Sequence, residues 1–318
     1  MEMPQFLKLF KRNNRDAGWV AVVLSNKGVH IAQVKHAGVR PQVMQCSFHP
    51  LSEVSATALE KVGKDVHLDS LRLTTLLSAN EYQLMMVEAP NVPVEELKTA
   101  IRWKIKDSLN YHVDDATIDV LQIPTNKYGA DRPQSLYAVA ASNETIRKRI
   151  NFFEKAKLEL TVIDIPEMAQ RNIAALFETE ARGLACLTFG DDGGLLTITC
   201  DGELFLARRM DITLGQLQDA DESLRQQYLD RVELEVQRSL DYFDRQFHHI
   251  PMSRVLVCAP ESLGLERVLA DNLGLLVEKL DLAQVMDINA VPELADSEYL
   301  IHALPALGAA LRQERRAL

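Results

Sequence analysis

Val20-Ala21-Val22-Val23-Leu24-Ser25-Asn26-Lys27-Gly28-Val29-His30-Ile31-Ala32-Gln33-Val34 reads as an apolar strand, a turn of small and polar residues, and a second strand. The same order returns in Leu184-Ala185-Cys186-Leu187-Thr188-Phe189-Gly190-Asp191-Asp192-Gly193-Gly194-Leu195-Leu196-Thr197-Ile198. One such hairpin opens each half of the chain, and Arg182-Gly183 marks the boundary between the halves. Two lobes of related build are therefore expected.

Length and composition agree with that division. The chain has 318 residues, and roughly 150 residues per domain gives about two lobes. Hydrophobic residues make up 47% and charged residues 25%, the balance of a globular protein with ample apolar surface to bury. A formal net charge of -10 argues against nucleic acid as a partner, because such a footprint needs a basic face to displace counterions. The cysteines, Cys46, Cys186, Cys200 and Cys258, are dispersed without zinc or redox spacing, which predicts no metal site and a reduced, cytoplasmic compartment. No apolar run is long enough to span a bilayer, and the first residues lack the pattern of a signal peptide.

Outward from the hairpins, Met1 to Arg15 combines Phe6, Leu7, Leu9 and Phe10 with Lys8, Lys11, Arg12 and Arg15. This basic-amphipathic pattern fits a weak contact with anionic lipid or a partner helix, and equally a frayed tail, since about two turns do not hold a helix alone in water. Ser70 to Ala79 has a mixed helical pattern, and Glu81 to Ala89 reads as a strand ended by Pro90. Leu97, Ile101, Ile105 and Leu109 recur every four residues, which makes an amphipathic helix. Asp119–Pro124 and Ser135–Ala141 read as strands around a polar turn, Asn126 to Asp131, and Asn143 to Leu158 as a helix with Ile146, Ile150, Phe153 and Ala156 inward. Leu160 to Ile165 closes this unit. Ser223 to Phe247 is the longest helix, followed by a strand, a helix and a strand over 254–278. The expected organisation is a flexible tail over 1–16, a first lobe over 17–89, an inserted small α+β subdomain over 90–160, and a return helix of the first lobe over 161–183. A second lobe over 184–300 and a C-terminal helix over 301–318 that packs back on the first lobe complete it.

Four stretches carry a family resemblance. They are Leu97-Lys98-Thr99-Ala100-Ile101-Arg102-Trp103-Lys104-Ile105-Lys106 followed by Asp114-Asp115, then Leu204-Phe205-Leu206-Ala207-Arg208-Arg209, then Val232 to Phe243, and the closing Ala303 to Arg312. In this order they resemble the PilM family of type IV pilus assembly proteins, most closely its MshI-type branch, named for mannose-sensitive haemagglutinin pili. The resemblance implies an α/β, actin-like fold of the FtsA and PilM type, ribonuclease H-like in each lobe, in which the insertion is a displaced small subdomain. It also implies a cytoplasmic adaptor, peripheral to the inner membrane, that grips the cytoplasmic tail of a single-span PilN-like membrane protein. The insertion and the first lobe would then form the wall of a peptide groove, with Trp103, Ile105 and Leu109 on it. Trp103 alone reads more simply as a half-buried subdomain tryptophan.

Actin-like folds pinch a triphosphate between two hairpins, and here the anionic ligands for its metal are missing. Val23 and Ser25 stand where the family's first loop has an aspartate and a glycine, and Thr188 stands where the second has an aspartate. The adenine-side Gly-Gly is replaced by Cys258-Ala259-Pro260-Glu261-Ser262. Such aspartates order the magnesium shell and the attacking water, which valine and threonine cannot do. The degenerate site comprises Ser25, Asn26 and Lys27 on one turn and Gly190, Asp191 and Gly193 on the other. Asp191-Asp192 reads as ordinary hairpin-turn chemistry.

No Gly-x-Ser-x-Gly elbow supports a hydrolase, and His248-His249 fits the end of the long helix. Arg208-Arg209 is open between a phosphate, an acidic partner and solvent. The reading is a scaffold without catalytic residues, metal or cofactor; its rival is an actin-like ATPase whose ATP and magnesium state sets partner affinity. A third reading, the cytoplasmic domain of a type II secretion protein, is disfavoured because no spanning helix follows.

Overall fold

The computed structural model of the chain describes residues 18–68, 71–124 and 134–313. The basic-amphipathic tail and the Asn126 to Asp131 turn lie outside the described residues. The first half runs β1 (Trp19–Ser25), β2 (Gly28–Ala37), β3 (Arg40–Pro50), α1 (Ala56–Asp65), β4 (Arg72–Leu76), β5 (Tyr82–Glu88), α2 (Val94–Ile105), β6 (Ala116–Gln122), β7 (Ser135–Ser142), α3 (Asn143–Lys155), β8 (Leu160–Asp164) and α4 (Pro166–Ala174). The second half runs β9 (Gly183–Gly190), β10 (Gly193–Cys200), β11 (Glu203–Met210), α5 (Leu214–Asp219), α6 (Glu222–Gln246), β12 (Met252–Cys258), α7 (Leu265–Leu273), β13 (Leu276–Lys279) and α8 (Ser297–Ala310).

Two large sheets have the same plan. Their strand orders are β3-β2-β1-β4-β8 and β11-β10-β9-β12-β13. In each, a three-stranded antiparallel meander is extended by two strands parallel to its first member. β1 is buried on both faces, which explains its unbroken apolar run. Val20 and Val22 point to a cluster with Leu59 of α1 and Phe153 of α3, while Ala21 points to the larger core. That larger core is continuous from Ala32, Val34 and Val43 of the first sheet to Leu187, Leu196 and Val257 of the second.

Between the sheets lie α4 and α8. They pack on each other, and Ala169 and Ile173 of α4 and Ala306, Leu307 and Ala310 of α8 are all buried in the large core. The helices meet so closely at Gly308 that a Cβ there would stand 2.2 Å from the Ala169 carbonyl oxygen. Asn172 spans the contact, donating from Nδ2 to the Gly308 carbonyl at 2.9 Å. α8 starts from a firm cap, with the Asp296 carboxylate accepting from the Glu298 and Tyr299 amides, and it packs on β1, β2 and β4 as well as on α4.

Several expectations need correction. Arg72–Leu76 is a strand, not part of a helix; as a central parallel strand its residues Leu73 to Leu76 are all buried, so period-2 alternation is lost. Helix α1, capped by the Ser55 hydroxyl, has no counterpart among the expected elements. β5, assigned to the first lobe, pairs with β7 in the separate sheet β5-β7-β6. β8, read as closing the insertion, joins the first sheet beside β4. In α3, Ile150 is exposed, and Arg149 instead turns inward to donate to the Leu76 carbonyl at 2.9 Å and to pair with Glu81.

Gly308→Ala is expected to lower the free energy of unfolding by about 1–3 kcal/mol, because the added methyl meets backbone and not a flexible side chain. Urea denaturation measures this, and an unchanged midpoint would refute the close approach.

Candidate functional site

Both hairpin turns have two residues. Ser25 pairs with Gly28 around exposed Asn26-Lys27, and Gly190 pairs with Gly193 around exposed Asp191-Asp192. The Ser25 hydroxyl donates to the Gly28 carbonyl at 3.1 Å, and the Lys27 carbonyl accepts from the Leu51 amide at 3.1 Å. Gly193 has φ of +108°, and a Cβ there would lie 2.4 Å from the Met210 carbonyl oxygen, so that turn requires glycine.

The second turn reaches the first half of the molecule. Asp192 Oδ2 accepts from the Ala79 amide at 3.2 Å, so this carboxylate bridges the halves. Asp191 lies within electrostatic reach of His30 on β2. The His30 ring packs 4.5 Å from Phe48 and 6.5 Å from His302 of α8, centroid to centroid. Burial, reinforced by His302 and opposed by Asp191, pushes the His30 pKa down to about 4.

Val23 and Thr188, which the resemblance aligned with phosphate-loop aspartates, are both engaged within the fold. Val23 is half-buried against the large core. The Thr188 hydroxyl donates to Gln170 Oε1 at 2.7 Å, and the same buried amide donates from Nε2 to the Cys186 carbonyl, the Leu195 carbonyl and the Thr197 hydroxyl. Gln170 thus fastens α4 to β9 and β10. Phe189 is buried with its ring against Gly194. Among the described residues no group of three or more His, Cys, Asp or Glu side chains is placed to hold a metal ion. All four cysteines are buried and free, and burial holds the Cys46 and Cys258 thiols up near 12, far from a nucleophile's range.

The inserted sheet docks on the second lobe through polar groups that the sequence reading missed. Glu167, 1% exposed in the first turn of α4, accepts from Arg209 Nε at 2.9 Å and from the Tyr82 hydroxyl. Arg209 Nη2 also donates to the Tyr82 oxygen. Burial works against the Arg209 charge, but Glu167 and Tyr82 outweigh it and the pKa rises; burial raises Tyr82, aided by Glu167. The acidic partner of Arg208 is likewise internal, Glu235 of α6 at 3.6 Å. Ala79, Tyr82, Leu84, Glu167, Ala207 and Arg209 line a cavity of about 210 Å³, below the roughly 300–1,000 Å³ of ordinary small-molecule sites.

Beside it, Tyr137 meets the outer edge of β11. Its hydroxyl accepts from the Ala207 amide at 3.0 Å and donates to the Phe205 carbonyl at 3.4 Å, satisfying two backbone groups that a further strand would otherwise pair.

On the far side of the inserted sheet, α2 buries Leu97, Ile101 and Ile105. Ile105 is only 1% exposed, so it supports the subdomain and cannot line a groove. Leu109 is half-buried against the same cluster. Trp103, in contrast with the half-buried reading, is 60% exposed. Its neighbours hold the helix in place: Arg102 donates to the Val113 and Ala116 carbonyls, Lys104 to the Glu88 carbonyl.

By sequence alone no family model and no curated protein matches this chain. Among solved structures it is similar to one described as the PilM–PilN type IV pilus biogenesis complex, with 18% identity and a TM-score of 0.71 over 93% of this chain and 98% of that one. It is also similar to the cytoplasmic domain of EpsL, an inner-membrane component of the type II secretion system of Vibrio cholerae, with 14% identity and a TM-score of 0.51 over 93% and 96% of the two chains. The chain has a two-lobed, actin-like α/β fold of the PilM kind. None of its described helices is long and apolar enough to cross a membrane.

Two outcomes follow from this geometry. Tyr137→Phe is expected to cost about 1–3 kcal/mol of stability, because the Ala207 amide loses its acceptor in a site closed to water; equal unfolding midpoints would exclude that role. His30 stays neutral in the folded state down to about pH 4, whereas an unfolded histidine protonates near 6.5. Between those values the unfolded chain binds more protons, so the stability contribution is present above pH 6.5 and is lost as pH falls toward 4. Comparing wild type with His30→Gln by thermal unfolding across this window, the wild type is expected to lose about 2 kcal/mol more, after allowance for solvent screening of the ring. Parallel profiles would exclude it.

Proposed function

We propose that this chain is a scaffold of a type IV pilus assembly platform, of the MshI branch of the PilM family. It binds the cytoplasmic tail of a single-span PilN-like protein, which holds it at the inner membrane. The observation that carries this reading is the likeness, over nearly the full length of both chains, to the structure described as a PilM–PilN complex. The likeness to the cytoplasmic domain of an inner-membrane component of a type II secretion system points the same way.

The details of the site support a gripping role over a catalytic one. Thr188 is engaged with Gln170 and Asp192 with the Ala79 amide, which leaves these two side chains committed to holding the fold together. The sites at Ser25, Asn26, Lys27, Gly190, Asp191 and Gly193 are then a degenerate remnant. Trp103 is the side chain on the inserted subdomain best suited to anchor a peptide, being large, rigid and exposed. Ile105 and Leu109 act beneath it by holding α2 on its sheet.

Titration of the full chain with a peptide of the partner's cytoplasmic tail is the direct test. Micromolar binding that weakens more than tenfold in Trp103→Ala is expected, with the fold unchanged. Absence of binding overturns the adaptor reading, and intact binding in Trp103→Ala removes the proposed anchor. Magnesium-dependent binding of a fluorescent ATP analogue in the same preparation would favour the ATPase reading instead.

A further inference from the structure

We infer that the gap between the imidazole rings of His30 on β2 and His302 on α8 is a binding site for the guanidinium group of an arginine side chain carried by another polypeptide. This goes beyond the proposed function, in which the partner is held at Trp103 on the inserted subdomain.

The gap has two flat walls. His30 is fixed in mid-strand, paired with Val23 of β1 and with Phe48 of β3. The Phe48 ring packs 4.5 Å from it, centroid to centroid, and is itself 38% exposed. The His302 ring stands 6.5 Å from His30 with the two planes only 19° apart. A planar group held between two rings needs about 7 Å, at roughly 3.5 Å of carbon contact per layer, so the rings stand within about half an ångström of that spacing. His302 is exposed on α8, so its side chain can make the adjustment without disturbing the core. Burial, reinforced by His302 and opposed by Asp191, keeps His30 neutral at pH 7, and this wall carries no charge to repel a cation.

The rim of the gap is acidic. Asp191, exposed on the second hairpin turn, lies within electrostatic reach of His30. Gly194 pairs with Met210, which places exposed Asp211 next to the same turn. Glu298 precedes His302 by one turn of α8, and there it accepts from Gln218 Nε2 at 3.3 Å. The cation nearest to His30 along the chain is Lys27, whose ammonium has no flat face to stack. These carboxylates repel a phosphate group. A guanidinium matches both parts of the site, with a flat cationic face for the imidazoles and donors in its plane for a carboxylate. Lysine carries the charge without the plane, so arginine is selected over it.

Proton NMR of the full chain at pH 7 tests the proposal, with the C2 protons of His30 and His302 assigned from the His30→Gln and His302→Ala variants. The probe is a glycine-arginine-glycine tripeptide with blocked ends. It is expected to shift both resonances in a saturable way, whereas the same tripeptide with citrulline, which keeps the plane without the charge, or with lysine has little effect. His302→Ala is expected to weaken binding about fivefold by removing one stacking face, and Asp191→Asn about threefold by removing one rim charge, both with unchanged thermal unfolding. No saturable shift with the arginine peptide, an equal response to the citrulline or lysine peptide, or undiminished affinity in either variant would overturn the proposal. Adenosine moving the same resonances at lower concentration than the arginine peptide would overturn it as well, by assigning the gap to a planar base.

Discussion

The structure depends on how closely α4 and α8 can approach. They lie back to back between two sheets of identical strand order, and the missing side chain at Gly308 lets one helix rest on the backbone of the other at Ala169. Each helix also packs against a sheet, with α8 on β1 and β2 and α4 on β10. A single core therefore runs through both halves instead of stopping at a boundary. Interiors packed to native density do not deform continuously, so the lobes are held as one body by apolar contact before any polar group acts.

The polar groups then place the inserted subdomain. Its sheet has one face covered by α2 and presents Tyr82, Leu84, Met86 and Tyr137 toward the second lobe. Glu167, buried at the start of α4, draws Tyr82 from the insertion and Arg209 from β11 to one point, joining three parts of the chain. An ion pair so buried is poor evidence of net stability, since desolvation offsets much of its Coulomb gain. Its consequence is geometric: removing one member strands the others, so the insertion has one seat and not several. The free face of α2, with Trp103, is thereby turned away from the lobes.

Some of this was legible residue by residue. The hairpins at Ser25–Gly28 and Gly190–Gly193 appear where the turn residues stand, and Leu97, Ile101 and Ile105 are buried as their spacing requires. The same spacing implies that Ile105 is a supporting residue, which the grouping with Trp103 overlooked. Arg72–Leu76 carries no strand signature because a strand covered on both faces has no alternation to read. Arg208-Arg209 stands out in the sequence but the partner of Arg209 does not, since Glu167 lies 42 residues away with no local pattern linking them.

What the sequence by itself determined is what contiguous residues can encode: the period of each amphipathic helix, the turn chemistry of each hairpin, and the absence of a carboxylate at Val23 and Thr188. Tertiary structure alone decided that Thr188 meets Gln170, that Asp192 crosses to Ala79, that Tyr137 closes the edge of β11, and that Arg312 comes to lie over the ring of Trp19. The reason is physical. Periodicity and turn preference act over a few bonds, whereas a buried polar group finds its partner only after the chain has collapsed and the cost of leaving it unpaired selects one arrangement among many.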